Sequence, residues 1–209
     1  MNSRIITCVA DVAEGAAWLA RAQPRFEYAM SLMGPLPLRL RGDGFATVLH
    51  AIMGQQVSVA SANAIWARML ALGMDTPVGV ITAGEDGLRA AGLSRQKIRY
   101  ALALADAGID YVALREQPDA DVIATLTQVP GVGQWTAQIY AMFGLGRADV
   151  FAPGDLALQE ATRILFELPE RPTPRVLAVM AQDWSPWRAV AARLLFTYYR
   201  VAKDREGIT

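Results

Sequence analysis

The chain has 209 residues, 53% of them apolar and 19% charged, with 20 basic and 20 acidic side chains and a formal net charge of zero. A sizeable core is therefore available, and a disordered chain or a polycationic nucleic-acid tail is excluded. One cysteine and one histidine leave no room for an intrachain disulfide, an iron–sulfur cluster, a cysteine-based zinc site or a multi-histidine metal centre.

In chain order, apolar residues recur with helical period and very little of the sequence alternates like a strand. The N-terminal segment has no long apolar core and no cleavage signal. No apolar run approaches the ~20 residues needed to span a bilayer. These features predict a protein of a reducing compartment, cytoplasmic and without membrane contact. Helices are expected at roughly 11–22, 24–33, 44–56, 58–72, 83–91, 95–107, 119–128, 134–144, 155–167, 174–183 and 186–203. Phe45, Val48, Leu49, Ile52 and Met53 form one apolar stripe; Leu158, Ala161, Thr162, Leu165 and Phe166 form a second. A third is Trp187, Val190, Ala191, Leu194, Leu195 and Tyr198. Thr82 and Glu85 have capping-box spacing, and Thr173-Pro174 and Ser185-Pro186 each set a hydroxyl before a proline. Gly73, Gly92 and Gly146 are stop signals. The fold class is all-α, about eleven short helices joined by short loops.

One turn is unusual. In V-P-G-V-G-Q-W-T-A-Q, Val129 to Gln138, the proline ends one helix and the next begins at Gly133 or Gln134. Gly131 and Gly133 can take positive φ, and neither carries a Cβ, so a ligand can reach the backbone itself. The following helix aims its free N–H groups and positive dipole end at the same place, an anion site built from main chain. A DNA phosphate suits it, and so do Gln134 and Thr136 in the first turn. Few lysines are needed, so the salt dependence of binding should be shallow. Val132 is expected to point inward, over Leu126 and Val129. Further on, Asp155 opens a helix after Pro153-Gly154, 22 residues beyond Gly133. By itself it reads as a helix cap.

The longer string L-x-x-V-P-G-V-G-x-x-T-A, followed by V-F-A-P-G-D, resembles the helix–hairpin–helix base-excision DNA glycosylases, in particular the short form of the DNA-3-methyladenine glycosylase II (alkylpurine) type. The resemblance runs from H-A-I-M-G-Q-Q-V-S-V-A-S-A at His50 to W-S-P-W-R at Arg188. It departs at the aspartate turn: Pro153-Gly154-Asp155 stands where the family has Gly-Pro-Asp, and relatives of the alkylation type often carry a second acid where Gly154 stands. It implies the helix–hairpin–helix glycosylase fold in two lobes with a central cleft: residues 1–40 packing with the C-terminal lobe, 41–146 a bundle ending in the hairpin, and 147–209 the C-terminal lobe. It implies that Asp155 is catalytic. Trp135, Phe196, Ile139 and Leu156 would line the base pocket, with Ile139 and Leu156 standing where relatives have tyrosine. Gln56 would fill the gap left by an extruded base. Main-chain carbonyls of Thr127, Val129 and Val132 would hold a structural Na+ or K+, with no other cofactor. Bifunctional relatives carry a lysine where Trp135 stands. A monofunctional hydrolase is therefore expected, a monomer acting on duplex DNA that contains alkylated bases such as 3-methyladenine. Two alternatives stay open: a non-catalytic helix–hairpin–helix DNA-binding module, and a glycosylase for other damaged or mismatched bases.

Overall fold

The computed structural model describes residues 4–205. In chain order the helices are α1 (Val9–Ala22), α2 (Pro24–Ser31), α3 (Phe45–Met53), α4 (Val59–Ala71), α5 (Pro77–Ala90), α6 (Arg95–Asp106), α7 (Tyr111–Leu114), α8 (Asp119–Thr127), α9 (Gln134–Phe143), α10 (Leu156–Phe166), α11 (Pro174–Met180) and α12 (Arg188–Arg205). A 3-10 turn, Ala181–Trp184, follows α11. Among the described residues the only β feature is an isolated bridge between Ile5 and Arg147. No described helix is long and apolar enough to cross a membrane.

The chain divides into two units, one of residues 4–40 with 145–205 and one of residues 41–144. In the first, α12 packs along α10 and against α1 and α2. The stripe of Trp187, Val190, Ala191, Leu194, Leu195 and Tyr198 is buried along its length, as its period requires. Gly15 makes room for this: a Cβ there would lie 2.6 Å from the Trp187 ring. Phe26, Phe151 and Phe166 surround Trp184 at centroid distances of 5.2, 5.4 and 6.0 Å. The N-terminal segment is stitched on by Ile6 N–H to Gly146 O, 2.7 Å, and Ala148 N–H to Arg4 O, 2.8 Å.

In the second unit α3 is the central element. Phe45, Val48, Leu49, Ile52 and Met53 are all buried, and α3 packs against α4, α6 and α9. Helix α5 lies on α6, and α8 on α9.

The structure corrects the expected boundaries in three places. Helix α5 starts at Pro77, not 83, because Thr76 caps it by accepting from Gly79 N–H at 3.0 Å. The Thr82–Glu85 pair instead spans a break at Gly84, φ +58°. Helix α7 is additional: Asp110 caps it through Val112 and Ala113 N–H, both 3.0 Å. Ser185 does not cap α12, which begins at Arg188; its hydroxyl donates to Asp149 Oδ2 at 2.8 Å. Of the two hairpin glycines, Gly131 uses the freedom to take positive φ, at +90°, while Gly133 is extended at φ −82°, ψ 172°.

Candidate functional site

Helix α8 ends at Thr127, and α9 begins seven residues later. The turn between them is held by local bonds and by two neighbours distant in sequence. Val132 N–H donates to Val129 O at 3.0 Å; Val129, Val132 and Leu126 are buried beneath the turn, as expected. Gly131 takes φ +90° and sits on the ring of Tyr100, which a Cβ would meet at 2.2 Å. Glycine at 131 is thus demanded twice from inside the protein, by backbone sign and by packing. Gln96 Nε2 steadies the ring by donating to Tyr100 Oη at 2.6 Å. Gln55 reaches over from the end of α3, and its Nε2 donates to Gly131 O at 3.0 Å and to Thr136 Oγ1 at 3.3 Å.

Gly133 is different. Its extended backbone suits any residue, and a Cβ there would meet nothing within 4 Å. Nothing inside the protein requires a glycine at this position. What its missing side chain leaves clear is the N-terminus of α9, ten residues long and capped by no side chain. The first-turn N–H groups and positive dipole end therefore open onto an uncovered surface.

That surface is a groove of about 770 Å3 whose walls include Gln55, Gln56, Tyr100, Gly131, Gly133 and Trp135. Gln56 is exposed, with a left-handed φ of +58°. Gln134 is exposed at the first position of α9, and Trp135 is 41% exposed. Thr136 is buried, and its hydroxyl oxygen accepts from Gln55 Nε2. Ile139, one turn beyond Trp135 on the same face, is buried. The Thr127 hydroxyl donates back to Ile123 O and Ala124 O, at 2.9 and 3.0 Å, leaving its carbonyl as the group to consider for a cation. His50 stacks on Trp66 at 4.9 Å; burial, with Arg41 nearby, pushes its pKa down.

In the other unit Asp155 stands at the start of α10. Its Oδ1 accepts from Ala157 N–H at 2.9 Å and from Leu158 N–H at 3.1 Å. The preceding loop is itself fixed: Asp155 N–H donates to Ala152 O at 3.0 Å, and Gln159 Nε2 to Pro153 O at 2.8 Å. The carboxylate is half-buried and held by a rigid frame, and the next side chain, Leu156, is 62% exposed. Phe196 on α12 is half-buried, with the Arg39 guanidinium 5.4 Å above its ring.

Thus Gln56, Gly131, Gly133, Trp135 and Thr136 line one groove, Gln134 lies beside it at the start of α9, and Asp155 and Leu156 share one helix start. Gln55 and Tyr100 were not singled out in the sequence. The first has only its place beside Gln56 to mark it, and the second has no local signal. Among the described residues no three histidine, cysteine, aspartate or glutamate side chains gather to hold a metal ion.

Comparison with known proteins locates the chain. A family model, HhH-GPD superfamily base excision DNA repair protein, matches residues 49–188. The chain is similar to DNA-3-methyladenine glycosylase 1 of Schizosaccharomyces pombe, 28% identical over 169 residues, covering 77% of this chain and 74% of that protein. It is 31% identical over 178 residues to DNA-3-methyladenine glycosylase 2 of Escherichia coli, covering 78% of this chain but only 60% of the relative. The structure of the S. pombe 3-methyladenine DNA glycosylase Mag1 with abasic DNA superposes with a TM-score of 0.76 at 25% identity, over 87% of this chain and 95% of that one.

Proposed function

The chain belongs to the HhH-GPD superfamily of base excision DNA repair proteins, and from that membership we propose that it is a monofunctional DNA glycosylase. In this reading it excises alkylated purines such as 3-methyladenine from duplex DNA. The relatives named as 3-methyladenine glycosylases, one of them bound to abasic DNA, support the reading. The observation that carries it is the presence in one chain of two unlike helix starts: a bare one at Gly133, suited to a phosphate, and one at Asp155 with a carboxylate fixed on it.

The reaction follows from these groups. The target base must leave the stack. The open start of α9 takes a backbone phosphate through main-chain N–H groups, which grips DNA without reading sequence. Gln56, exposed on its turn, fills the space the base leaves. Trp135 offers an indole face to the base; an alkylated purine carries positive charge, and a cation over tryptophan gains about 0.5–2 kcal/mol. Ile139, one turn beyond Trp135 on the same helix, backs that indole from within its own unit. Breaking the N-glycosidic bond builds oxocarbenium character on the sugar. The Asp155 carboxylate stabilises that charge and orients or deprotonates the attacking water. A cationic base leaves without a general acid.

The hairpin carbonyls of Thr127, Val129 and Val132 are neutral oxygens, the donor type a monovalent cation takes. That of Val129 already accepts from Val132 N–H and keeps one lone pair. An ion there would stiffen the turn and add positive charge toward the phosphate.

The test is product analysis on methylated duplex. Release of 3-methyladenine, with matching alkali-labile sites and no borohydride-trapped protein–DNA adduct, is expected. Binding without base release would make the chain a DNA-binding module only, and a trapped adduct would reveal an amine nucleophile.

A further inference from the structure

Lys97 takes no part in the reaction above, yet it is 8% exposed. An ammonium is seldom buried without a partner, because desolvation disfavours its charge, and burial holds the Lys97 pKa below the usual lysine value. Its partner is Met53 O, to which Nζ donates at 2.5 Å. Met53 is the last residue of α3, where carbonyls lack intrahelical donors and the dipole is negative. Lys97, on α6, therefore clamps the end of α3.

Immediately beyond that clamp the chain turns through Gly54, Gln55 and Gln56. Gln56 holds φ +58°, a conformation that a non-glycine residue keeps only where its surroundings impose it. The surroundings impose it at three points. Lys97 holds the carbonyl before the turn. Gln55 ties the turn to Gly131 and Thr136. Ser58 closes it, accepting from Ser61 N–H at 3.2 Å as the cap of α4. Three residues after Lys97, Tyr100 puts its ring under Gly131. One helix, α6, thus supports both the turn that carries Gln56 and the hairpin that faces the phosphate.

We propose that Lys97 is a positioning residue for base extrusion: by clamping the Met53 carbonyl it fixes the Gln56 turn relative to the α8–α9 hairpin. This rests on the reading that Gln56 fills the gap left by the extruded base. The clamp matters where the duplex must be opened, and it is irrelevant to a base already unstacked.

Lys97→Met keeps the length and removes the donor. Single-turnover excision is measured on two duplexes that differ only opposite the lesion, one fully paired and one with the lesion in an unpaired bulge. The variant is expected to be about tenfold slower than wild type on the paired duplex, the scale of a small misplacement of a positioned group, and within about twofold on the bulged one. Equal loss on both substrates, the mark of a merely structural role, overturns the proposal, as does no loss on the paired duplex. In Gln56→Ala, adding Lys97→Met should cost nothing further on the paired duplex; an additive loss contradicts action through Gln56. If Lys97→Met does not fold, Lys97→Gln, which keeps a shorter donor, is read by the same ratio. A 2-aminopurine beside a non-cleavable lesion reports unstacking independently of chemistry. If wild type releases no base, the proposed function has failed, and Lys97 is still judged: loss of the 2-aminopurine signal at saturating Lys97→Met supports the clamp, and an unchanged signal refutes it.

Discussion

Helices α9 and α10 begin with the same difficulty, first-turn N–H groups that have no partner within the helix, and they meet it in opposite ways. Helix α9 starts at a glycine and no side chain caps it. Helix α10 starts at Asp155, whose Oδ1 takes two of the N–H groups. The first start is suited to an anion from outside. The second already carries its own anion, fixed in place, and so presents negative charge to whatever approaches. A nucleic acid whose phosphates are negative and whose sugar turns positive during base loss needs both kinds of site. In the proposed reading, the difference between one glycine and one aspartate at equivalent helical positions is the difference between grip and chemistry.

Substitutions can break this contrast. The largest effect is expected from Asp155→Asn. Asparagine caps about as well as aspartate, so stability should stay within about 0.5 kcal/mol by urea unfolding, while base release falls about 10²–10³-fold, the scale of removing one preorganised electrostatic group. Next is Gly131→Ala, where the new Cβ meets the Tyr100 ring at 2.2 Å and φ is +90°. Strain and overpacking together should cost about 2–4 kcal/mol in the same unfolding experiment. Gly133→Ala, two residues away, meets nothing within 4 Å and should leave stability within about 0.5 kcal/mol. If main-chain N–H groups there hold a phosphate, duplex Kd by fluorescence anisotropy should rise about tenfold. Trp135→Ala should lower kcat/KM on a cationic adduct about 2- to 30-fold, the equivalent of the lost cation–π contact.

Asp11 sharpens the comparison from the other side, as an acid near a helix start with a purely structural task. Bonds from Thr7 N–H and hydroxyl, and from Cys8 N–H, at 2.8, 2.9 and 3.1 Å, hold its pKa well below the ordinary value of 3.8. With the folded pKa depressed, its stabilisation is present above about pH 4 and is lost as pH falls toward the folded value. Asp11→Asn should therefore flatten the acid limb of stability against pH and leave base release unchanged.

The features legible in the sequence are those set by signals a few residues long. The apolar stripes of α3, α10 and α12, the Thr173-Pro174 start and the proline that ends α8 all act locally, and the all-α fold follows from them. The features that were not legible depend on partners far away in sequence. Nothing near Gly131 announces that Tyr100 lies beneath it, and nothing near Met53 announces Lys97; these contacts span 31 and 44 positions. The same reason explains Ser185, where a capping pattern is present but Asp149 takes the hydroxyl. Gly133 is the reverse case. Its glycine permits positive φ, yet the structure shows ordinary extended backbone with open space beside it, at the uncapped start of α9.

The most direct test compares single-turnover base release from methylated duplex by wild type, Gly133→Ala and Asp155→Asn as protein concentration is raised to saturation. The grip-and-chemistry account predicts that Gly133→Ala climbs back to the wild-type rate and that Asp155→Asn stays slow at every concentration. Asp155→Asn reaching the wild-type rate would reduce the carboxylate to a cap and contradict the account.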